Sequence, residues 1–216
     1  MKIGILFDLD GTLLSTLEDL TDAVNYTLRH YGCPERTREE VCSYLGYGAK
    51  YLIASALPEN GKDFNVDEVL AFYQKYYGAH NKIKTRPYEG ILEALEELGK
   101  KYPLAIVSNK PDVATKPMCK AYFGEDIYAL GESAGCPRKP APDMVYQGMQ
   151  AIGVETCIYV GDSEVDVQTA RNAGVPCLSV LWGFRDQEYL QKEGATHFCD
   201  DPKKLATCLK EMIENG

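Results

Sequence analysis

The sequence predicts an α/β protein: a parallel sheet covered by helices on both faces, with a small all-helical domain inserted after the first strand. Three observations carry this. From about residue 85 onward, short apolar runs alternate with amphipathic stretches, the pattern of strand–helix units that build parallel sheets. A separate apolar run, Ile3–Phe7, stands ahead of that series. Between them, residues 15–84 carry apolar side chains at helical spacing. The expected organisation is a discontinuous α/β core, residues 1–14 and 85–216, with a helical domain at 15–84.

The elements follow in order. KIGILF reads as a fully buried strand. TLEDLTDAVNYTLRHYG places Leu17, Leu20, Val24, Leu28 and Tyr31 on one helical face. TREEVCSYLG opens with a Thr37/Glu40 capping box, and GAKYLIASALP and VDEVLAFYQKYYGAH complete the helical block. In GILEALEELGKKY, Ile91, Leu92, Leu95 and Leu98 are expected to share a buried face. YPLAIVSNK is a short strand, and PDVATKPMCKAYF is a helix that Pro117 should restrict. APDMVYQGMQAIGV is a helix, TCIYVGD a strand, and SEVDVQTARNAG a helix stopped by Gly174. VPCLSVLWG and THFCDD read as the last strands, before a closing helix from Pro202 to about Ile213.

Composition narrows the function. A chain of 216 residues with 45% hydrophobic and 25% charged residues is built like a globular protein. A net charge of −9 argues against a basic nucleic-acid surface and against adhesion to acidic membranes. Ile3–Phe7 is too short for the apolar part of a secretion signal, and no run approaches the ~20 residues of a membrane span. The eight cysteines form no C-x-x-C pair, and several lie in apolar strands, so free buried thiols and a cytoplasmic location are expected.

Three predicted strands end in polar residues able to do chemistry: Asp8 and Asp10, then Ser108-Asn109-Lys110, then Gly161-Asp162-Ser163-Glu164-Val165-Asp166. Ligands of open parallel sheets bind outside such carboxyl ends. Asp8 and Asp10, two apart on an extended segment, point to the same side, and two carboxylates in one space need a compensating positive charge. Each piece alone has an ordinary reading: a D-G turn, a helix-capping serine, a capping box at Ser163/Asp166, a surface lysine at 139. Together they make one electrostatic argument. Asp8, Asp10 and Asp162 suit a hard cation such as Mg2+. Lys139, stiffened by Pro140 and Pro142, can bridge a carboxylate and a phosphoryl oxygen, and Ser108 and the Asn109 N–H can donate to the remaining oxygens. Phosphoryl transfer needs little beyond such positioning and charge stabilisation.

Asp8-Leu-Asp-Gly-Thr, Ser108, Lys139-Pro140 and Gly161-Asp162-Ser163 through Asp166 resemble the four motifs of the haloacid dehalogenase-like phosphohydrolases, over essentially the whole chain. The resemblance implies a Rossmann-like core with the helical insert as a cap domain. It implies Asp8 as nucleophile and Asp10 as general acid and then base. Mg2+ would be held by Asp8, the Asp10 carbonyl and Asp162, and Asp166 would support the metal's waters or Lys139. Ser108, Asn109 and Lys139 would hold the phosphoryl group, and Thr12 would steady the first loop. The second acid of the D-x-D pair implies phosphate chemistry over dehalogenation. Ser15 departs from the pattern, standing where many relatives have a third Asp, and bears on the hinge and cap contacts.

Leu45-Gly46-Tyr47-Gly48-Ala49, followed by Leu52 and Ala56-Leu57-Pro58, is similar to the cap loop of phosphoglycolate phosphatases. That implies substrate contacts at Gly46, Tyr47, Gly48 and Lys50, against a plain interhelical turn. Trp182-Gly183-Phe184-Arg185 is similar to the same subgroup and lines the cap interface or packs there. The expected activity is Mg2+-dependent hydrolysis of a small phosphorylated metabolite, 2-phosphoglycolate first, by a monomer or homodimer. The alternatives are an inorganic pyrophosphatase, a β-phosphoglucomutase-like phosphomutase and a non-catalytic phosphate-binding module.

Overall fold

The computed structural model describes residues 2–215. The chain divides into two compact units: one formed by the chain up to Leu14 together with the chain from Pro87 onward, the other by Ser15–Arg86.

In the first unit, β1 (Ile3–Phe7), β4 (Leu104–Pro111), β5 (Tyr128–Glu132), β6 (Thr156–Gly161), β7 (Cys177–Val180) and β8 (His197–Cys199) form a six-stranded sheet in the order β5-β4-β1-β6-β7-β8. The two-residue strands β2 (Leu14–Ser15) and β3 (Arg86–Pro87) stand where the chain passes from one unit to the other. Every pairing in the six-stranded sheet is parallel. β1 lies inside it, Ile5 registering with Leu104 on one side and Ile158 on the other. Strand alternation sends Ile5 and Phe7 into a layer with Leu95, Leu98 and Leu205, and Leu6 into the opposite layer with Val107, Met144 and Tyr159. An apolar run therefore buries both faces of β1, and the residues after Phe7 emerge at the carboxyl edge of the sheet.

Helices α5 (Ile91–Gly99), α6 (Asp112–Phe123), α7 (Asp143–Ile152), α8 (Glu164–Ala173), α9 (Gln187–Lys192) and α10 (Leu205–Asn215) belong to this unit. Gly174 ends α8 with φ 71°, a left-handed cap that glycine adopts without strain. Several elements differ from expectation. Leu92 is 47% exposed, and Ala94 takes the buried place beside Ile91, Leu95 and Leu98. Pro117 lies inside α6 without ending it. The closing helix starts at Leu205, after a 3-10 turn over Pro202–Lys204. β5 and α9 have no counterpart in the sequence reading. β5 is an edge strand whose Gly131 packs so closely that a Cβ would lie 2.5 Å from the Asp112 Cα.

The second unit holds α1 (Leu17–His30), α2 (Arg38–Ser43), α3 (Ala49–Ala56) and α4 (Val66–His80), with a 3-10 turn at Pro58–Gly61. Leu17, Leu20, Val24 and Leu28 of α1 and Val69, Tyr73 and Tyr77 of α4 are buried. Thr37 and Glu40 form the capping box of α2. The carboxylate of Asp19, 3% exposed, accepts the backbone N–H groups of Ile83, Lys84 and Thr85 at 2.9–3.1 Å. Among the described residues no helix is long and apolar enough to cross a membrane.

Candidate active site

The carboxyl ends of β1, β4 and β6 bring the chemistry together. Asp8 continues β1, its N–H donating to the Val160 carbonyl at 2.8 Å. The chain then turns at Gly11, with φ +86°, where a Cβ would lie 2.3 Å from the Asp162 carboxylate. Only glycine fits, on conformation and on space. The turn delivers Thr12, whose hydroxyl donates to Asp162 Oδ1 at 2.9 Å.

Lys139 is the hub. Its side chain is 2% exposed, and Nζ stands 2.9 Å from Asp8 Oδ1 and 2.8 Å from Asp166 Oδ1. It also donates to the Tyr159 hydroxyl at 2.9 Å. The Asn109 amide holds the backbone behind it, accepting from the Lys139 N–H at 2.8 Å and donating to the Lys139 carbonyl at 2.9 Å. The Asn109 side chain thus serves the lysine loop. Ser108, 2% exposed on β4, accepts the Lys110 N–H at 3.3 Å. The pairing of β4 with β5 becomes irregular between Val107 and Pro111, and such irregularities re-aim side chains.

Asp166 faces two ways. Oδ1 meets Lys139, while Oδ2 accepts from the Ser163 N–H at 3.1 Å and the Ser163 hydroxyl at 2.6 Å, the capping box of α8. Asp162, fully buried at the end of β6, accepts from Thr12 on one oxygen and from the Phe184 N–H at 2.7 Å on the other.

Asp10 stands apart from this group. Both its oxygens lie 2.9 Å from Lys110 Nζ, whose side chain is 4% exposed. The two neighbouring acids therefore have separate lysines: 139 for Asp8 and 110 for Asp10.

The electrostatics follow from burial. Burial pushes the Asp8 carboxyl up to about 6; Lys139 opposes the shift, and Asp166 and Asp10 add to it. Burial also raises Asp162 well above the carboxylate range, with the charges of Asp166 and Asp8 behind it. Burial works against the Lys139 ammonium, but Asp166 and Asp8 outweigh it and hold its pKa well above the ordinary value. Carboxylates this crowded call for more positive charge. Asp8, Asp162 and Asp166 each offer one oxygen, all within 4.8 Å of one another. Asp8 Oδ1 is buried, and its charge partner is the Lys139 ammonium 2.9 Å away, which Asp166 shares. An all-oxygen donor set of three crowded carboxylates with one ammonium among them fits a hard divalent cation.

Gly46, Tyr47, Gly48 and Lys50 lie in the helical unit, between α2 and the first turn of α3. Gly46 and Gly48 take φ 112° and 86°. Tyr47 packs against Tyr51 with ring centroids 5.1 Å apart, and Lys50 pairs with Asp67 at 2.7 Å.

Sequence reasoning passed over three groups. Lys110 was visible in Ser-Asn-Lys, but its partner lies 100 residues away. Tyr159 reads as a core aromatic within an apolar strand, yet its hydroxyl meets Lys139 and Asp166. Glu164 had no assigned role and forms a buried pair with Arg185 at 2.8 Å.

Known proteins resemble this chain in sequence and in fold. The chain is 32% identical to a phosphoglycolate phosphatase of Haemophilus influenzae, covering 94% of this chain and 96% of that protein. It is 32% identical to a phosphoglycolate phosphatase of Aquifex aeolicus, covering 83% and 85%. A solved structure from Lactobacillus delbrueckii subsp. bulgaricus, described as a candidate phosphoglycolate phosphatase, superposes with a TM-score of 0.88 at 36% identity, covering 95% of this chain and 97% of that one. The family profile of the haloacid dehalogenase-like hydrolases matches residues 5–180. That span takes in both acids of the first loop, both buried lysines and the Asp162–Asp166 segment, and the chain is a member of the haloacid dehalogenase-like hydrolase family.

Proposed function

We propose that the chain is a Mg2+-dependent phosphatase of small phosphate monoesters, with 2-phosphoglycolate as its substrate. The observation that carries this reading is the division of the two acids of the first loop between two buried lysines. It leaves Asp8 beside Lys139 in a carboxylate-lined recess and Asp10 held separately beside it. The names of the relatives at 32% identity support the choice of substrate.

In this reading Asp8 attacks the phosphorus, forming an aspartyl-phosphate as the bond from phosphorus to the ester oxygen breaks. Asp10 gives its proton to the departing alkoxide, then takes one from the water that attacks the aspartyl-phosphate. Ser108, the Asn109 N–H and Lys139 hold the phosphoryl oxygens, and Tyr159 and Asp166 keep the Lys139 ammonium in place. Thr12 steadies Asp162. Asp8, Asp162 and the Asp10 carbonyl would hold Mg2+, with Asp166 supporting its waters or Lys139. The ion supplies neutralisation of the charge gathered on the phosphoryl group. By its resemblance to the family, the helical unit is the part that selects the substrate, through Gly46, Tyr47, Gly48 and Lys50. The eight cysteines of the whole chain, all of them thiols, suit a reducing cytoplasm.

The test is phosphate release, with and without Mg2+, from 2-phosphoglycolate, pyrophosphate, hexose phosphates and nucleotides. The expected result is Mg2+-dependent release with a marked preference for 2-phosphoglycolate. Preference for pyrophosphate would replace the substrate assignment, and release from none of them would overturn the reading.

A further inference from the structure

Asp162 is fully buried, with Asp8 and Asp166 close by. Its orientation depends on what grips it: Thr12 holds one oxygen, and the segment after β7 holds the other. The Trp182 Nε1–H donates to the Thr12 carbonyl at 3.0 Å. A Cβ on Gly183 would lie 2.3 Å from the Asp162 Cβ, so the backbone there lies directly on that side chain. The Phe184 N–H donates to Asp162 Oδ2 at 2.7 Å. Arg185 then grips Glu164 through Nε to Oε2 at 2.8 Å and Nη2 to Oε1 at 3.2 Å. That pair is buried, with side chains 11% and 6% exposed.

We propose that Trp182–Arg185 sets the orientation of Asp162 for a divalent cation, and that Arg185 is the positioning residue that latches this segment through Glu164. The inference rests on the Mg2+ reading above.

The argument is geometric. A backbone N–H cannot rotate away as a side-chain donor can, so the place of the Phe184 amide decides where Asp162 Oδ2 points. That amide is held from both sides, by Trp182 before it and Arg185 after it. Glu164 stands two residues beyond Asp162, at the start of α8, so the latch ties the segment to the stretch of chain that carries the acid. Thr12 closes the circuit: its hydroxyl grips Asp162 Oδ1 while its carbonyl takes the Trp182 indole. Partners that orient a metal-binding carboxylate in this way are worth about 10–100-fold in metal affinity when removed. A bidentate guanidinium–carboxylate pair suits the latch because it fixes direction as well as distance.

The experiment is thermal melting of the metal-free protein titrated with Mg2+, read beside the Mg2+ dependence of phosphate release. The variants are Arg185→Met, Arg185→Lys and the double variant Glu164→Gln/Arg185→Met, which leaves no unpaired buried charge. The wild type is expected to melt higher as Mg2+ is added. In Arg185→Met and in the double variant the half-saturating Mg2+ should rise about 10–100-fold by both readouts, with kcat recovering at saturating Mg2+. Arg185→Lys should recover part of the loss. Variants that melt lower but keep the wild-type Mg2+ midpoint would make the pair a purely structural contact and overturn the inference. Should every Arg185 variant fail to fold, Trp182→Phe decides: a raised midpoint supports the inference and an unchanged one overturns it. A wild type that does not respond to Mg2+ would overturn the metal reading, and this inference with it.

Discussion

In the α/β unit, Lys139 and Lys110 are 2% and 4% exposed and face Asp8, Asp166 and Asp10 in the interior. In the helical unit, Arg38, Lys50 and Lys84 pair with Glu18, Asp67 and Asp22 at side-chain exposures of about one half or more on most partners. The contacts are short in both units, 2.6–2.7 Å in the helical unit and 2.8–2.9 Å in the α/β unit. What differs is the solvent. Breaking an exposed pair costs about 0–1 kcal/mol, whereas removing one partner of a buried pair costs about 3–5 kcal/mol, because a charge is left stranded. A buried pair adds little net stability over apolar packing, so its presence at the sheet edge points to chemistry, and the exposed pairs point to none. The helical unit has its own buried acid in Asp19, but three backbone N–H groups satisfy it. Burial of a charge needs a partner: for Asp19 it is backbone N–H groups, and for Asp8, Asp10 and Asp166 it is a cation.

The largest effect that would test this contrast is on turnover. Asp8→Asn should lower kcat by about 10⁴-fold or more and abolish any acid-labile phosphoenzyme; a fully active variant would remove Asp8 as the nucleophile. Next comes Lys139→Met, expected to destabilise the fold by about 3–5 kcal/mol in urea unfolding, because Asp8 and Asp166 lose their shared ammonium. A loss below ~1 kcal/mol would break the contrast between the two units.

Lys110→Met should reduce kcat on 2-phosphoglycolate by about 100-fold, within the range of acid–base contributions, and should cost much less on a nitrophenyl phosphate, whose leaving group needs no proton. Equal losses on both esters would separate Lys110 from the work of Asp10. The smallest effect belongs to Lys50→Met, expected to change stability by less than about 1 kcal/mol. A KM for 2-phosphoglycolate raised tenfold with kcat preserved would show that an exposed pair can matter through the substrate rather than through the fold.

The same contrast explains what was legible in the sequence. The sheet was readable because strands buried on both faces are apolar throughout, as in Ile3–Phe7 and Thr156–Gly161. The acids were readable because they interrupt such runs abruptly. β5 was not, because Tyr-Ala-Leu-Gly-Glu is an edge strand that is only partly buried, with a glycine chosen for close packing against Asp112. The phase of α5 was off by one position, since Leu92 and Ala94 both suit a helix and only packing decides which faces inward. Within the site, the side chains that hold other side chains were the hidden ones. Lys110, Tyr159 and the Glu164–Arg185 pair owe their meaning to partners brought near by the sheet, 100, 20 and 21 residues away in the chain. No local pattern announces such a pair.

The placement of β1 inside the sheet has a consequence for the order of assembly. Ile5 needs Leu104 on one flank and Ile158 on the other, so the first strand made has no complete lattice of partners until most of the chain exists. Ser15–Arg86, by contrast, is one uninterrupted stretch, and the contacts within that unit all close inside it. Contacts so distant in sequence close slowly, and domains made on the ribosome fold from the N-terminal side as their partners appear. The helical unit is thus complete while Ile3–Phe7 still waits for β4 and β6. Asp8 and Asp10 reach their lysines only afterwards, and the crowded acids of this protein meet one another late in its folding.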